Sequence, residues 1–255
     1  MLTEITIPLF IFVAALLYAS VGHGGASAYL AVMGLFGLAP GVMKPVALTL
    51  NILVASVAMY KFYRAGHFSW RLFLPFALTS IPFAFIGGAI TLPGDWYKVL
   101  VGLVLFYAAF RLFQMRPPAA EQADHPPAIG LALVLGAGIG LLSGLTGVGG
   151  GIFLSPILLL AGWAGTKRTA AVAAAFILVN SIAGLLGNWR SILSLPWQIP
   201  IWGVAALAGG WLGARNGSQR LTSPVIRKLL AVVLVIAALK MVWPLVGIFA
   251  SLVSR

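Results

Sequence analysis

The sequence predicts an all-α polytopic membrane protein: two inverted repeats of about five hydrophobic segments each, with Gly-rich broken or re-entrant helices. Three observations predict it. Apolar residues are in excess along the whole chain, a set of glycine and asparagine landmarks recurs in tandem, and Lys and Arg are distributed unequally between the loops.

The first observation is compositional. Of 255 residues, 61% are hydrophobic and 8% charged, against roughly 25% charged in a soluble globular domain. Mean hydropathy is +1.06 and no half of the chain is polar, so the bilayer is the solvent for nearly every segment and a water-soluble fold is excluded. The net charge of +12 comes from 16 Lys and Arg that stand singly or in pairs between apolar runs, with no continuous basic face for nucleic acid. The expected partners are membrane lipid and a small anionic substrate, and a homodimer is compatible with the sequence. The four acids, Glu4, Asp95, Glu121 and Asp124, lie outside or at the edges of the runs, which leaves no carboxylate for the membrane interior. Cys is absent, which removes disulfides and thiolate metal sites; no metal or cofactor is expected. The start, MLTEITIP, has neither the basic opening nor the cleavage site of a secretory signal peptide, so the first helix is expected to stay in the mature protein.

The apolar runs fall at about Ile5 to Val21, Gly25 to Leu38, Val42 to Tyr63, Leu72 to Leu92 and Val99 to Met115. The Pro-rich stretch Arg116 to Pro127, RPPAAEQADHPP, then has the composition of an exposed linker. A second set follows at about Ala128 to Leu142, Gly150 to Gly162, Ala170 to Trp189, Ile199 to Ala214 and Val225 to Phe249. Gly22-His23-Gly24-Gly25 matches Gly147-Val148-Gly149-Gly150, Asn51 matches Asn180, and Trp70 matches Trp197. Lys98 and Arg111 match Arg227 and Lys240 with the same mutual spacing. Landmarks in one order indicate an internal duplication: a first transmembrane repeat over 1–115, a cytoplasmic linker over 116–127 and a second repeat over 128–255.

Charge gives the orientation. With five segments per half, one side of the membrane receives Lys61, Arg64, Arg71, Arg111, Arg116, Lys167, Arg168, Arg215, Arg220, Arg227 and Lys228, eleven cations. The other receives Lys44, Lys98, Arg190, Lys240 and Arg255, five. Fusing the first two runs of each half into one span divides the same cations 8 to 8. The positive-inside rule therefore favours inverted halves, with both termini periplasmic and the linker inside. A full span needs about 20 residues, and the second run of each half falls short, so these are expected as half-helices or buried, tilted short spans.

Each short run follows a glycine cluster, SVGHGG in the first half and LTGVGGG in the second. Unwound backbone at membrane depth is tolerated only where protein or water satisfies it, so the breaks are expected to line a cavity at the repeat interface. Half-helices starting near Gly25 and Gly150 would point free N–H groups and a partial positive charge into that cavity, which suits an anion. The competing reading is close helix packing through small residues. On the cavity reading, a Cβ at Gly24, Gly25, Gly149 or Gly150 should hinder binding more than folding.

The candidate substrate-binding residues are Ser20, Gly22, His23, Gly24, Gly25, Asn51, Thr146, Gly147, Gly149, Gly150 and Asn180; among the hydroxyls, Ser20, Thr146, Thr49 and Ser181 are weaker candidates. Asn51 and Asn180 sit mid-run, where an unpartnered amide is costly; they either cap the broken backbone or also touch substrate. His23 is the titratable group inside a break, and its counterpart Val148 is apolar, so structural and functional roles both stand. Lys44 is expected to snorkel to the outer interface, with a basic lip for an anion as the alternative. The Trp and Tyr residues, including Trp70, Trp96, Trp163, Trp197 and Trp243, are expected to anchor the protein at the interfaces.

Tandem halves that each open with a G-x-G-G cluster and continue into an Asn-bearing helix resemble the TauE/SafE sulfite exporter family. The resemblance covers almost the whole chain, and GLTGVGGGIFLSPILLL is the closer copy while SVGHGGASAYL is more divergent. It implies a transporter of the bacterial inner membrane, exporting sulfite, an organosulfonate or a related sulfur anion. A catalytic function is not expected, because no paired nucleophile and base, metal cluster or apposed carboxylates are available. A cation-coupled transporter of a different small substrate and a non-transporting membrane scaffold are the alternatives.

Overall fold

A computed structural model describes residues 2–114, 127–217, 231–232 and 234–243, and every regular element among them is helical. The first half contains α1 (Leu2–Ala19), α2 (Ala26–Leu35), α3 (Pro40–Arg64), α4 (Trp70–Ala89) and α5 (Gly94–Gln114). The second contains α6 (Ile129–Thr146), α7 (Gly151–Leu160), α8 (Thr166–Gly187), a 3₁₀ turn (Trp189–Ser194) and α9 (Ile199–Gly217), followed by α10 (Leu234–Trp243). Each of the first nine apolar runs becomes a helix, with ends displaced by a few residues; of the run read at Val225 to Phe249, both ends lie outside the described residues. Helix α3 starts earlier than its run because Pro40 occupies its first turn, where the missing N–H is no loss. Nearly all of the linker read at Arg116 to Pro127, and the cations Arg116, Arg220, Arg227, Lys228 and Arg255, lie outside the described residues.

Helices α3, α4, α6 and α8 are long and apolar enough to cross a membrane. Helices α2 and α7 have 10 residues each, a rise of about 15 Å against a hydrocarbon core of about 30 Å. Large apolar side chains such as Leu78, Val134, Leu160 and Val204 point outward. So extensive an exposed apolar surface on an otherwise packed bundle belongs in lipid, and the protein is a multi-pass membrane protein.

Small residues set the helix spacing. A Cβ on Gly136, Gly140 or Gly144 of α6 would strike the backbone at Phe76, Ser80 or Ala84 of α4. These positions advance together by four, so the two helices run in the same direction along a small-residue seam of the kind that drives helix association in lipid. Helices α1 and α9 repeat this with Gly209 against Phe12 and Gly213 against Leu16. The centre is formed by α3 and α8, where Asn51 meets Ser181 and Leu48 meets Gly184; these two run in opposite directions.

Trp70, Trp96, Trp197 and Trp243 are exposed, as anchoring at an interface requires, while Trp163 is half-buried against Phe76. The anchoring expectation fails for Tyr18, Tyr29, Tyr97 and Trp202, which are buried in the core. Neighbouring helices cover the run ends that carry Tyr18, Tyr97 and Trp202, and Tyr29 lies inside the short, enclosed α2.

Candidate functional site

Both helix breaks are built on left-handed glycines. Gly22 and Gly25 in the first break have φ of 77° and 96°, and Gly147, Gly149 and Gly150 in the second have 83°, 83° and 79°, a region that penalises any residue with a Cβ. Gly25 and Gly150 are the N-caps of α2 and α7, and neither helix receives a side-chain cap. The first-turn amides and the positive ends of two half-helices thus meet the chain breaks.

Asn51, wholly buried, joins the breaks. Its Nδ2 donates to Val148 O at 3.1 Å and to Ser181 Oγ at 3.4 Å, while its amide closes the space over Gly24. The Val148 carbonyl can only accept, so it fixes the orientation of the amide and leaves Asn51 Oδ1 buried without a hydrogen-bond partner. Asn180 behaves differently. Its Nδ2 donates to Phe176 O at 2.8 Å, one turn back on its own helix, and its Oδ1 is also buried and unpartnered.

The hydroxyls of Ser20 and Thr146 turn back on their own helices, to Leu17 O and Leu142 O, both at 2.7 Å. His23 is buried; its Nδ1 donates to Val21 O at 3.1 Å and its ring meets Tyr18 edge-on, with centroids 6.3 Å apart. The structure therefore brings Gly24, Asn51, Val148, Gly149 and Ser181 into one cluster. The side-chain hydrogen bonds of Ser20, Thr146 and Asn180 stay within their own segments, whereas the His23 imidazole bonds the backbone at Val21 in its own break and at Gly151, the start of α7.

The glycines are closed by protein. The place of a Cβ on Gly24 is taken by Asn51, on Gly25 by Tyr29, on Gly149 by Asn51, Ile177 and Ser181, and on Gly150 by Phe176 and Ile139. In this conformation packing already demands glycine at all four positions, so a Cβ there disturbs the fold as directly as any ligand.

Lys44 departs from expectation. Instead of snorkelling outward it is buried, with Nζ donating to Gly87 O, Gly88 O and Ile90 O at 3.1, 2.9 and 3.2 Å. The carbonyls that end α4 have no intrahelical partner, and an ammonium satisfies them with charge of the right sign. The sequence missed this because the partners lie more than forty residues away. Tyr97 was missed likewise; its O–H donates to Thr146 O at 3.0 Å, beside the second break. Its place in the first turn of α5 suggested only an interfacial ring. No group of three or more His, Cys, Asp or Glu able to hold a metal occurs among the described residues.

A bundle of apolar helices interrupted by two half-helices that start at facing glycine breaks is an architecture that suits a membrane transporter. The description Sulfite exporter TauE/SafE matches residues 7–241, and the chain belongs to this family. It is 40% identical over 235 residues to the probable membrane transporter protein y4hK of Sinorhizobium fredii, covering 91% of this chain and 95% of that one. It is 25% identical over 157 residues to the probable membrane transporter protein MJ0441 of Methanocaldococcus jannaschii, covering 59% of this chain and 58% of that one. No solved structure matches.

Proposed function

We propose that the protein exports a small sulfur-containing anion, such as sulfite or an organosulfonate, across a bacterial inner membrane, binding it between the two helix breaks of inverted halves. The observation that carries this reading is the meeting of two uncapped half-helix N-termini at the buried amide of Asn51. Such termini hold anions with backbone N–H groups and need no charged side chain. Inversion is supported by the opposed directions of α3 and α8 and by the pairing of α4 with α6 as α9 pairs with α1. The family description supplies the sulfur anion, and the unequal cation distribution supplies periplasmic termini.

A second reading rests on Asn51 Oδ1 and Asn180 Oδ1, two buried acceptors without donors. Acceptors of this kind also suit a coupling cation, which backbone carbonyls at a break can help to hold. Flux in proteoliposomes with sulfite, a sulfonate and sulfate, with and without Na⁺ and H⁺ gradients, tests both readings. Saturable sulfite or sulfonate flux is expected. A strict requirement for Na⁺ would add the second reading, and no flux of any of the three anions would reject the first.

A further inference from the structure

A cavity of about 250 Å³ lies beside the second break, with Lys44, Thr91, Tyr97, Leu145, Asn188 and Ser191 among its walls. It has room for roughly eight waters at about 30 Å³ each, enough for a small oxyanion with part of its hydration shell. Its rim at Gly41, Thr91 and Gly94 is exposed, whereas Lys44 and Tyr97 at its base are buried.

Among the residues that line this cavity, Lys44 carries the one ionic side chain. Lys44 binds three carbonyls, whose helix end carries only about half a negative charge, so the ammonium is incompletely neutralised. No carboxylate bonds to it among the described residues. Asp95, on the adjoining α5, pairs instead with Lys98 at 3.1 Å.

The base of the cavity is also the back of the second break. Tyr97 holds the Thr146 carbonyl, and the bare face of Gly147 packs on Lys44, where a Cβ would stand 3.1 Å from Lys44 O and 3.3 Å from its Cγ. At the corresponding place, Gly22 in the first break packs on Ala170, so the cation is present on one side only.

We propose that this cavity is an anion antechamber serving the second break, with Lys44 as its cationic anchor. A small oxyanion entering it takes one ammonium hydrogen bond in place of the Ile90 carbonyl, which holds the longest of the three. In the inverted arrangement the rim faces the periplasm, the release side for an exporter. This inference rests on the anion-transport reading above.

The test uses sulfite flux in proteoliposomes, with folding checked by gel filtration. With sulfite presented on the rim side, Lys44→Met should raise KM tenfold or more, and Lys44→Arg should restore it to within about threefold. Gly41 offers a second handle that spares the Lys44 hydrogen bonds, because nothing lies within 4 Å of where its Cβ would stand. Gly41→Glu should raise KM severalfold and Gly41→Lys lower it, with the difference shrinking at high ionic strength. Wild-type flux together with equal KM for the two Gly41 variants would overturn the antechamber alone, as would a Lys44→Met KM equal to wild type. Absence of anion flux in the wild type would overturn it together with the transport reading.

Discussion

The two helix breaks share a backbone but not a chemistry. Each turns through left-handed glycines into a 10-residue half-helix. The first break carries the His23 imidazole and rests on Ala170, whereas the second carries Val148 and rests on Lys44. The two breaks thus keep the same backbone geometry while the side chains around them differ. On the proposed function, the shared features would serve binding at the centre and the differences would set what each side of the membrane presents to the substrate.

If the halves are inverted, the two breaks open towards opposite sides, and the largest effect is all or none. Alkaline phosphatase fused after Arg255 should be active, and fused within 119–125 it should be inactive; the reverse pattern would rule out this orientation.

The next effect compares Gly22 with Gly147. A Cβ on Gly22 would meet the Ala170 backbone, while one on Gly147 would stand 3.1 Å or more from Lys44. Both substitutions also force a left-handed residue to carry a Cβ, at roughly 1–2 kcal/mol, and overpacking adds about 1–3 kcal/mol where the neighbour cannot yield. Gly22→Ala should thus lower thermal stability in detergent more than Gly147→Ala. Equal losses would mean that the two breaks are packed alike.

Asn51 and Asn180 provide a finer comparison. Asn51→Ala removes the link between the breaks and leaves the Val148 carbonyl buried without its donor, a loss of about 1–2 kcal/mol together with transport. Asn180→Ala removes a bond within one helix and should affect flux less. Similar flux losses in the two variants would show that both amides meet the substrate.

His23→Gln is the smallest change. With the imidazole bonded to the backbone at Val21 and Gly151 and its place taken by Val148 in the second break, the variant should keep the pH profile of flux. It should change apparent affinity by about threefold or less, about 0.7 kcal/mol. Complete flattening of that profile would make His23 the proton carrier.

Much of the architecture was legible in the sequence because it rests on local signals. Apolar runs gave the helices, and the short runs after SVGHGG and LTGVGGG gave α2 and α7, since three or more glycines within four residues readily break a helix, whereas the pairs Gly87-Gly88 and Gly209-Gly210 stay helical. Asn51 and Asn180 stood out because a mid-run amide is costly in lipid. The sequence could not tell them apart, because only the fold decides that Asn51 faces the other half's break while Asn180 bonds one turn back. Lys44 and Tyr97 were misjudged for the same reason. A cation or a phenol near a run end has the composition of an interfacial anchor, and its burial depends on helix ends distant in the chain, Gly87 to Ile90 for the one and Thr146 for the other.

The central claim is that the two breaks form one anion site through Asn51. Sulfite flux into proteoliposomes, compared between the wild type and Asn51→Ala at matched protein content and equal folding, tests it most directly. The account predicts saturable flux in the wild type and almost none in the variant. Wild-type flux that survives in Asn51→Ala with unchanged KM would contradict it.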